Sequence, residues 1–195
     1  MTPHIHNTVT IRSVTITFKL FFFLLLISNS LFAQKITFYT ENLKAYEGTW
    51  MYQSNDTIFK IVLKKGQKVR SNYVLDGLFG GYFLSVNGAT VENYMSPIIT
   101  TLEPSDTRAK IYIWATNYST NKLDVNPNCL RFTFYDQKKK HFDGNGINAG
   151  TIKLLSPNKI EWILDEKEGI RATIDQTADP IGFSVPTDVI MIKEE

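Results

Sequence analysis

The chain has 195 residues, with 21 Lys and Arg against 19 Asp and Glu and a formal net charge of +2. That length fits one domain with room for a sizeable core. The near balance of charge excludes a dedicated nucleic-acid surface, which needs a clustered positive excess.

The N-terminal segment reads as an export signal. Arg12 and Lys19 precede the unbroken apolar run LFFFLLLI, Leu20 to Ile27, and no acidic residue occurs before Glu41. The run falls short of the about twenty apolar residues that a membrane-spanning helix needs, which disfavours a retained anchor. LFAQ places the expected cleavage between Ala33 and Gln34, so residues 1–33 form the signal peptide and residues 34–195 a single mature domain. No Cys lies near that bond to take a lipid. The expected destination is the periplasm or the medium, with no stable membrane span after cleavage. Loss of Arg12 and Lys19 leaves 19 basic against 19 acidic side chains, so the basic character belongs to the precursor. His4 and His6 leave too, and His141 alone cannot build a two-His or three-His zinc site. The one Cys, Cys129, has no internal disulfide partner. In an oxidising compartment it is either buried or intermolecularly reactive, and its place at the start of the apolar strand CLRFTFY favours burial.

Along the mature chain the apolar period is two, and helical periodicity is hard to find. KAYEG, Lys44 to Gly48, is too short and polar to assign. In TWMYQS, Trp50 and Tyr52 share a face. In IFKIVLKK, Phe59, Ile61 and Leu63 share one, while Lys60 and Lys64 take the wet side. Gly77, Gly80 and Gly81 in GLFGGY predict a bulge or tight barrel bend, since no helix follows to present an anion-binding terminus. YFLSVNGATVEN has two runs joined by Asn87-Gly88, the pair that suits a type I′ hairpin turn. Further strands are expected at KIYIWAT around Ile111 and Ile113, at CLRFTFY around Phe132 and Phe134, and at TIKLL from Thr151. KIEWIL around Ile160 and Trp162 and the closing DVIMIK complete the set. FDGNG reads as a Gly-rich hairpin turn, and SPNK, Ser156 to Lys159, as a tight link between antiparallel strands. Short strands separated by turns favour an all-β antiparallel barrel, with a β-sandwich as the alternative.

The order Gly48-Thr49-Trp50, a turn, then FKIVLKK is similar to the first strands of the lipocalin and fatty-acid-binding superfamily. That resemblance implies a lipocalin- or calycin-like barrel in which Trp50 closes the base of the cavity and a basic side chain from the last strand packs across its ring. Lys193 is the positional candidate and Arg171 the alternative. The mid-chain Thr-Asp-Tyr-type motif of lipocalins has no convincing counterpart. The blocks GTWMYQSNDTIFKIVLKK, DGLFGGYFLSVNG, LLSPNKIEWILDEKEGI and VPTDVIMIK, in this order, resemble an exported family of small bacteroidete proteins of unknown function. This second resemblance implies export and one compact β domain, and implies no activity.

Catalytic candidates are few. His141, in KKKHFDGNG, could act as a general base oriented by Asp143 or Asp136, but its place beside a lysine run points to a solvated loop. DGNGIN, Asp143 to Asn148, is like the start of a calcium loop, yet Leu154 stands where the bidentate Glu is needed. In DEKEG the carboxylates of Asp165, Glu166 and Glu168 crowd a turn with Lys167 among them, which suits a solvated turn better than paired hydrolytic acids. No nucleophile elbow, phosphate loop or dinucleotide fingerprint occurs. No catalytic residue, metal or cofactor is therefore expected, and the chain reads as non-enzymatic.

Two functions stay open. One is a barrel that holds a small apolar ligand, lined by Trp50, Tyr52, Phe59, Ile61, Leu63, Ile111, Ile113, Phe132, Phe134, Ile160 and Trp162, a set without charge. The other is an envelope structural or protein-interaction domain whose aromatic residues fill the core. An interior cavity of about 300 Å³ or more separates the first from the second. Oligomeric state is not set by the sequence.

Overall fold

Period-two alternation produces strands almost wherever it occurs. The protein is described by a computed structural model over residues 35–106, 110–117, 126–165 and 181–195, the side chains of Phe142, Asp143 and Ala149 aside. Its strands are β1 (Ile36–Phe38), β2 (Gly48–Gln53), β3 (Thr57–Val69), β4 (Tyr73–Val86), β5 (Ala89–Asn93), β6 (Thr101–Leu102), β7 (Ile113–Thr116), β8 (Cys129–Phe134), β9 (Ile147–Ser156), β10 (Lys159–Leu164) and β11 (Asp188–Lys193). One short helix, α1 (Leu43–Tyr46), forms in the KAYEG segment that the sequence leaves unassigned. Among the described residues no helix is long and apolar enough to cross a membrane.

Strands β2, β3, β4, β7, β8, β9, β10 and β11 pair antiparallel in chain order. The circle closes where β11 returns to β2 through Ile192↔Met51 and Lys193↔Trp50. This is an eight-stranded antiparallel barrel, and closure excludes the sandwich alternative. The predicted tight turns form as expected. Asn87 and Gly88 take φ of 53° and 75° between β4 and β5, and Pro157-Asn158 link β9 to β10.

Of the bulge or tight bend predicted at the glycines of GLFGGY, the bulge is absent. The β3–β4 ladder runs unbroken from Thr57↔Val86 to Val69↔Val74, with no bulge at Gly77, Gly80 or Gly81. Close approach is what these positions need. The segment from Tyr94 to Leu102 crosses the outer wall as a strap and ends in β6, which pairs parallel with β3 at Gln67 and Lys68. A Cβ at Gly81 would land on the Tyr94 carbonyl oxygen, and one at Gly66 on that of Thr100. FDGNG also differs from its expectation. It belongs to a longer connection between β8 and β9, with a 3₁₀ turn at His141–Gly144 and φ of 84° and 77° at Gly144 and Gly146.

Two apolar clusters result. The main one lies inside the barrel, and the second, Phe79, Leu102 and Trp114 with Leu75, Ile98, Ile99, Ile111 and Tyr135 against them, lies on the outer wall beneath the strap. At one end α1 sends Leu43 and Tyr46 into the main cluster, and the Trp50 indole N–H donates to the Tyr46 carbonyl at 2.8 Å. At the other end Phe183 and Val185 pack against or within that cluster.

Candidate functional site

The set predicted to line the lumen is largely brought together. Trp50, Phe59, Ile61, Leu63, Ile113, Phe132, Phe134, Ile160 and Trp162 are all buried in the main cluster, and Tyr52 packs against it half-buried. Ile111 does not join them. Tyr112 and Ile113, adjacent in sequence, both enter the main cluster, so the alternation breaks before β7 begins and Ile111 turns to the outer-wall cluster. Leu78, Tyr82, Leu84, Leu130, Ile152 and Met191 belong to the interior as well, and simple extension of the period-two pattern reaches them.

Aromatic rings occupy the middle of the barrel. Trp162 is 0 % exposed and stacks on Phe132 at 4.2 Å, with Phe59 edge-on at 5.5 Å and Phe134 edge-on at 5.9 Å. Gly150 permits this arrangement, because the Phe132 ring lies where its Cβ would be. The Trp162 N–H is spent on the Pro186 carbonyl at 3.0 Å.

The Trp50 end matches the lipocalin-like expectation. Lys193 Nζ lies 5.1 Å from the centre of the Trp50 ring, while the alternative Arg171 lies outside the described residues. Just outside this end is a groove of about 430 Å³ lined by Asn42, Ala45, Asn128, Leu154, Leu155, Ser156, Pro157 and Lys193. Cys129, expected to be buried, is half-buried, and burial pushes its thiol up despite the nearby Lys153 and Arg131. At pH 7 it is a protonated thiol, a poor nucleophile.

His141 contradicts its reading as a solvated histidine. It is 3 % exposed, its ring lies 5.2 Å from that of Phe183, and its Nε2–H donates to the Gly182 carbonyl at 3.0 Å. The 3₁₀ turn tucks the imidazole under the chain while Lys138 and Lys140 stay toward solvent. Lys139 Nζ reaches the Ile181 carbonyl at 2.9 Å. Asp136 accepts from the backbone N–H of Lys138, Lys139 and Ser184 and from the Ser184 hydroxyl. The 136–141 loop thus clasps residues 181–184 over the barrel mouth. Asp136 is committed to that clasp and does not orient His141, and the side chain of Asp143, the other predicted orienter, lies outside the described residues.

Next to the clasp, the Tyr82 hydroxyl donates to Glu92 Oε1 at 3.0 Å and accepts the Gln137 N–H at 3.1 Å. Burial raises the Tyr82 phenol, the Gln137 N–H opposes that, and the charges of Glu92 and Asp136 add to it. Tyr82 therefore stays a neutral donor. Glu92 Oε2 and His141 Nδ1 are buried with no hydrogen-bond partner among the described residues. Pattern reading misses this group because Glu92 lies on a strand edge and Asp136 and His141 in a loop, where no period tells inside from outside. Asp165 is exposed, and Glu166 and Glu168 lie outside the described residues. Among the described residues no group of three metal-ligating side chains comes together.

No curated protein and no solved structure matches the chain. A family model matches residues 16–194, nearly the whole length and all the strands of the barrel. The chain belongs to that family, a family of unknown function (DUF6705).

Proposed function

We propose that this chain is an exported, non-enzymatic interaction module of the cell envelope, in which the filled barrel is a rigid scaffold and partners are met on its outside. The observation that carries this reading is the packing of Trp162 against Phe59, Phe132 and Phe134, which puts rings where a lumenal ligand would sit. The clasp at one mouth and α1 at the other support it. Support for export is the sequence alone: the apolar run Leu20 to Ile27 and the small residue Ala33 before Gln34.

A second reading, a small amphipathic ligand, is favoured by the groove at the Trp50 end. Its volume of about 430 Å³ reaches the range of ligand sites, and Lys193 gives it a cationic wall beside Leu154 and Leu155. The secreted product, with Gln34 as its expected N-terminus, is titrated with fatty acids and with retinoid-like and haem-like probes, following tryptophan fluorescence and melting temperature. The interaction-module reading expects no stabilisation. A ligand at about 100 times its dissociation constant would add about 2.7 kcal/mol. Stabilisation that Lys193→Gln abolishes would move the function to the groove, and stabilisation that survives it would move the function into the barrel.

A further inference from the structure

The outer wall carries two cations for which the described residues supply no carboxylate. Lys68, near the end of β3, stands with its Nζ 4.3 Å from the centre of the Trp114 ring, and Trp114 packs against Phe79 at 4.6 Å in the outer-wall cluster. Arg70 is two residues on, close enough to act on both Lys68 and Tyr135. Its guanidinium donates to the adjacent Val69 carbonyl at 3.3 Å, and among the described residues neither cation meets a carboxylate. Both side chains are half-buried.

Half-buried charges are ordinarily paired, because desolvation without a partner opposes the charged form. Here burial, and then the charge of Arg70, lower the Lys68 amine from 10.5 to about 8. Between those values the unfolded chain holds more protons than the folded one, so stability rises with pH across that window. Below it, the charged Lys68 opposes folding in full. An acceptor of opposite charge would reverse that effect, with the fork of Arg70 and the ammonium of Lys68 donating charge-assisted hydrogen bonds.

We propose that Arg70 and Lys68, whose ammonium is held beside the ring of Trp114, form a binding site for an oxyanion, a phosphate or carboxylate group carried by a partner molecule. The site lies on the outer wall and stands whether or not the interior is filled, so it does not depend on the envelope reading.

Inorganic phosphate and acetate are titrated separately into the purified protein at constant ionic strength against chloride, following tryptophan fluorescence and the side-chain NMR signal of Lys68. A saturable response to at least one of them is expected. Phosphate alone would identify a phosphate-bearing partner, and acetate a carboxylate-bearing one. Lys68→Met and Arg70→Met should each weaken binding about tenfold or more, the loss expected for one charge-assisted hydrogen bond. Lys64→Met removes the same charge from an exposed position of the same strand and should change binding by less than about twofold. Arg70→Lys should recover part of the loss and shows that the effect is not misfolding, as does a melting temperature of Lys68→Met that is no lower than that of the unaltered protein. No saturable response to either anion, or equal weakening by Lys64→Met, overturns the proposal.

Discussion

Trp162→Ala is expected to destabilise the protein by about 3 to 5 kcal/mol, the range for truncating a large buried aromatic. The reasons lie in its neighbours. Trp162 is 0 % exposed, and its removal takes the stacking partner from Phe132 and the edge contact from Phe59 and Phe134. It also leaves the Pro186 carbonyl without its N–H donor, next to the segment that closes the barrel mouth. Domains of this size are stable by only about 5 to 15 kcal/mol, so the variant should unfold at a much lower denaturant concentration. Chemical denaturation followed by far-UV circular dichroism measures it. A loss below about 1 kcal/mol would mean that the site collapses freely or that the indole is not packed as described.

Trp50→Ala should cost about 3 to 5 kcal/mol as well, for reasons particular to the other end. Its N–H holds the Tyr46 carbonyl and with it α1, whose Leu43 and Tyr46 are buried in the same cluster. Lys193 loses the ring that its ammonium faces. Lys193→Met isolates that last contribution and should cost only about 0.5 to 2 kcal/mol, the worth of a cation–π contact. Hydrogen exchange at the amides of residues 43–47 gives a second readout, which should speed up in Trp50→Ala and stay slow in Lys193→Met. Equal effects of the two variants would mean that the cation, not the indole packing, holds this end.

The barrel was legible in the sequence because alternation survives wherever one face of a strand is buried. Phe59, Ile61 and Leu63 fall on one side of β3 for that reason, as do Ile160 and Trp162 on β10. Lys193 over Trp50 was legible only through resemblance, since nothing local to either residue joins the first barrel strand to the last. Ile111 was misplaced because the pattern was carried past the point where Tyr112 and Ile113 both turn inward. His141 was misread for a different reason. Three lysines before it suggest solvent, but a 3₁₀ turn reverses the direction of a side chain within one residue, and the carbonyl of Gly182 that receives its N–H is 41 positions away. The glycines of GLFGGY read as a bulge or tight bend, because nothing local to them tells that another segment approaches the backbone there. The Tyr94–Leu102 strap is set by tertiary packing, beyond any local pattern.

Whether the interior is filled decides between scaffold and carrier, and xenon uptake followed by NMR measures it most directly. Xenon enters dry apolar cavities and reports the protons that line them. Ile152→Ala shortens a fully buried side chain paired in register with Trp162 and serves as the positive control. The unaltered protein should show no xenon contact with Phe59, Phe132 or Trp162, and Ile152→Ala should show one. Saturable contacts with those three rings in the unaltered protein would contradict a packed barrel.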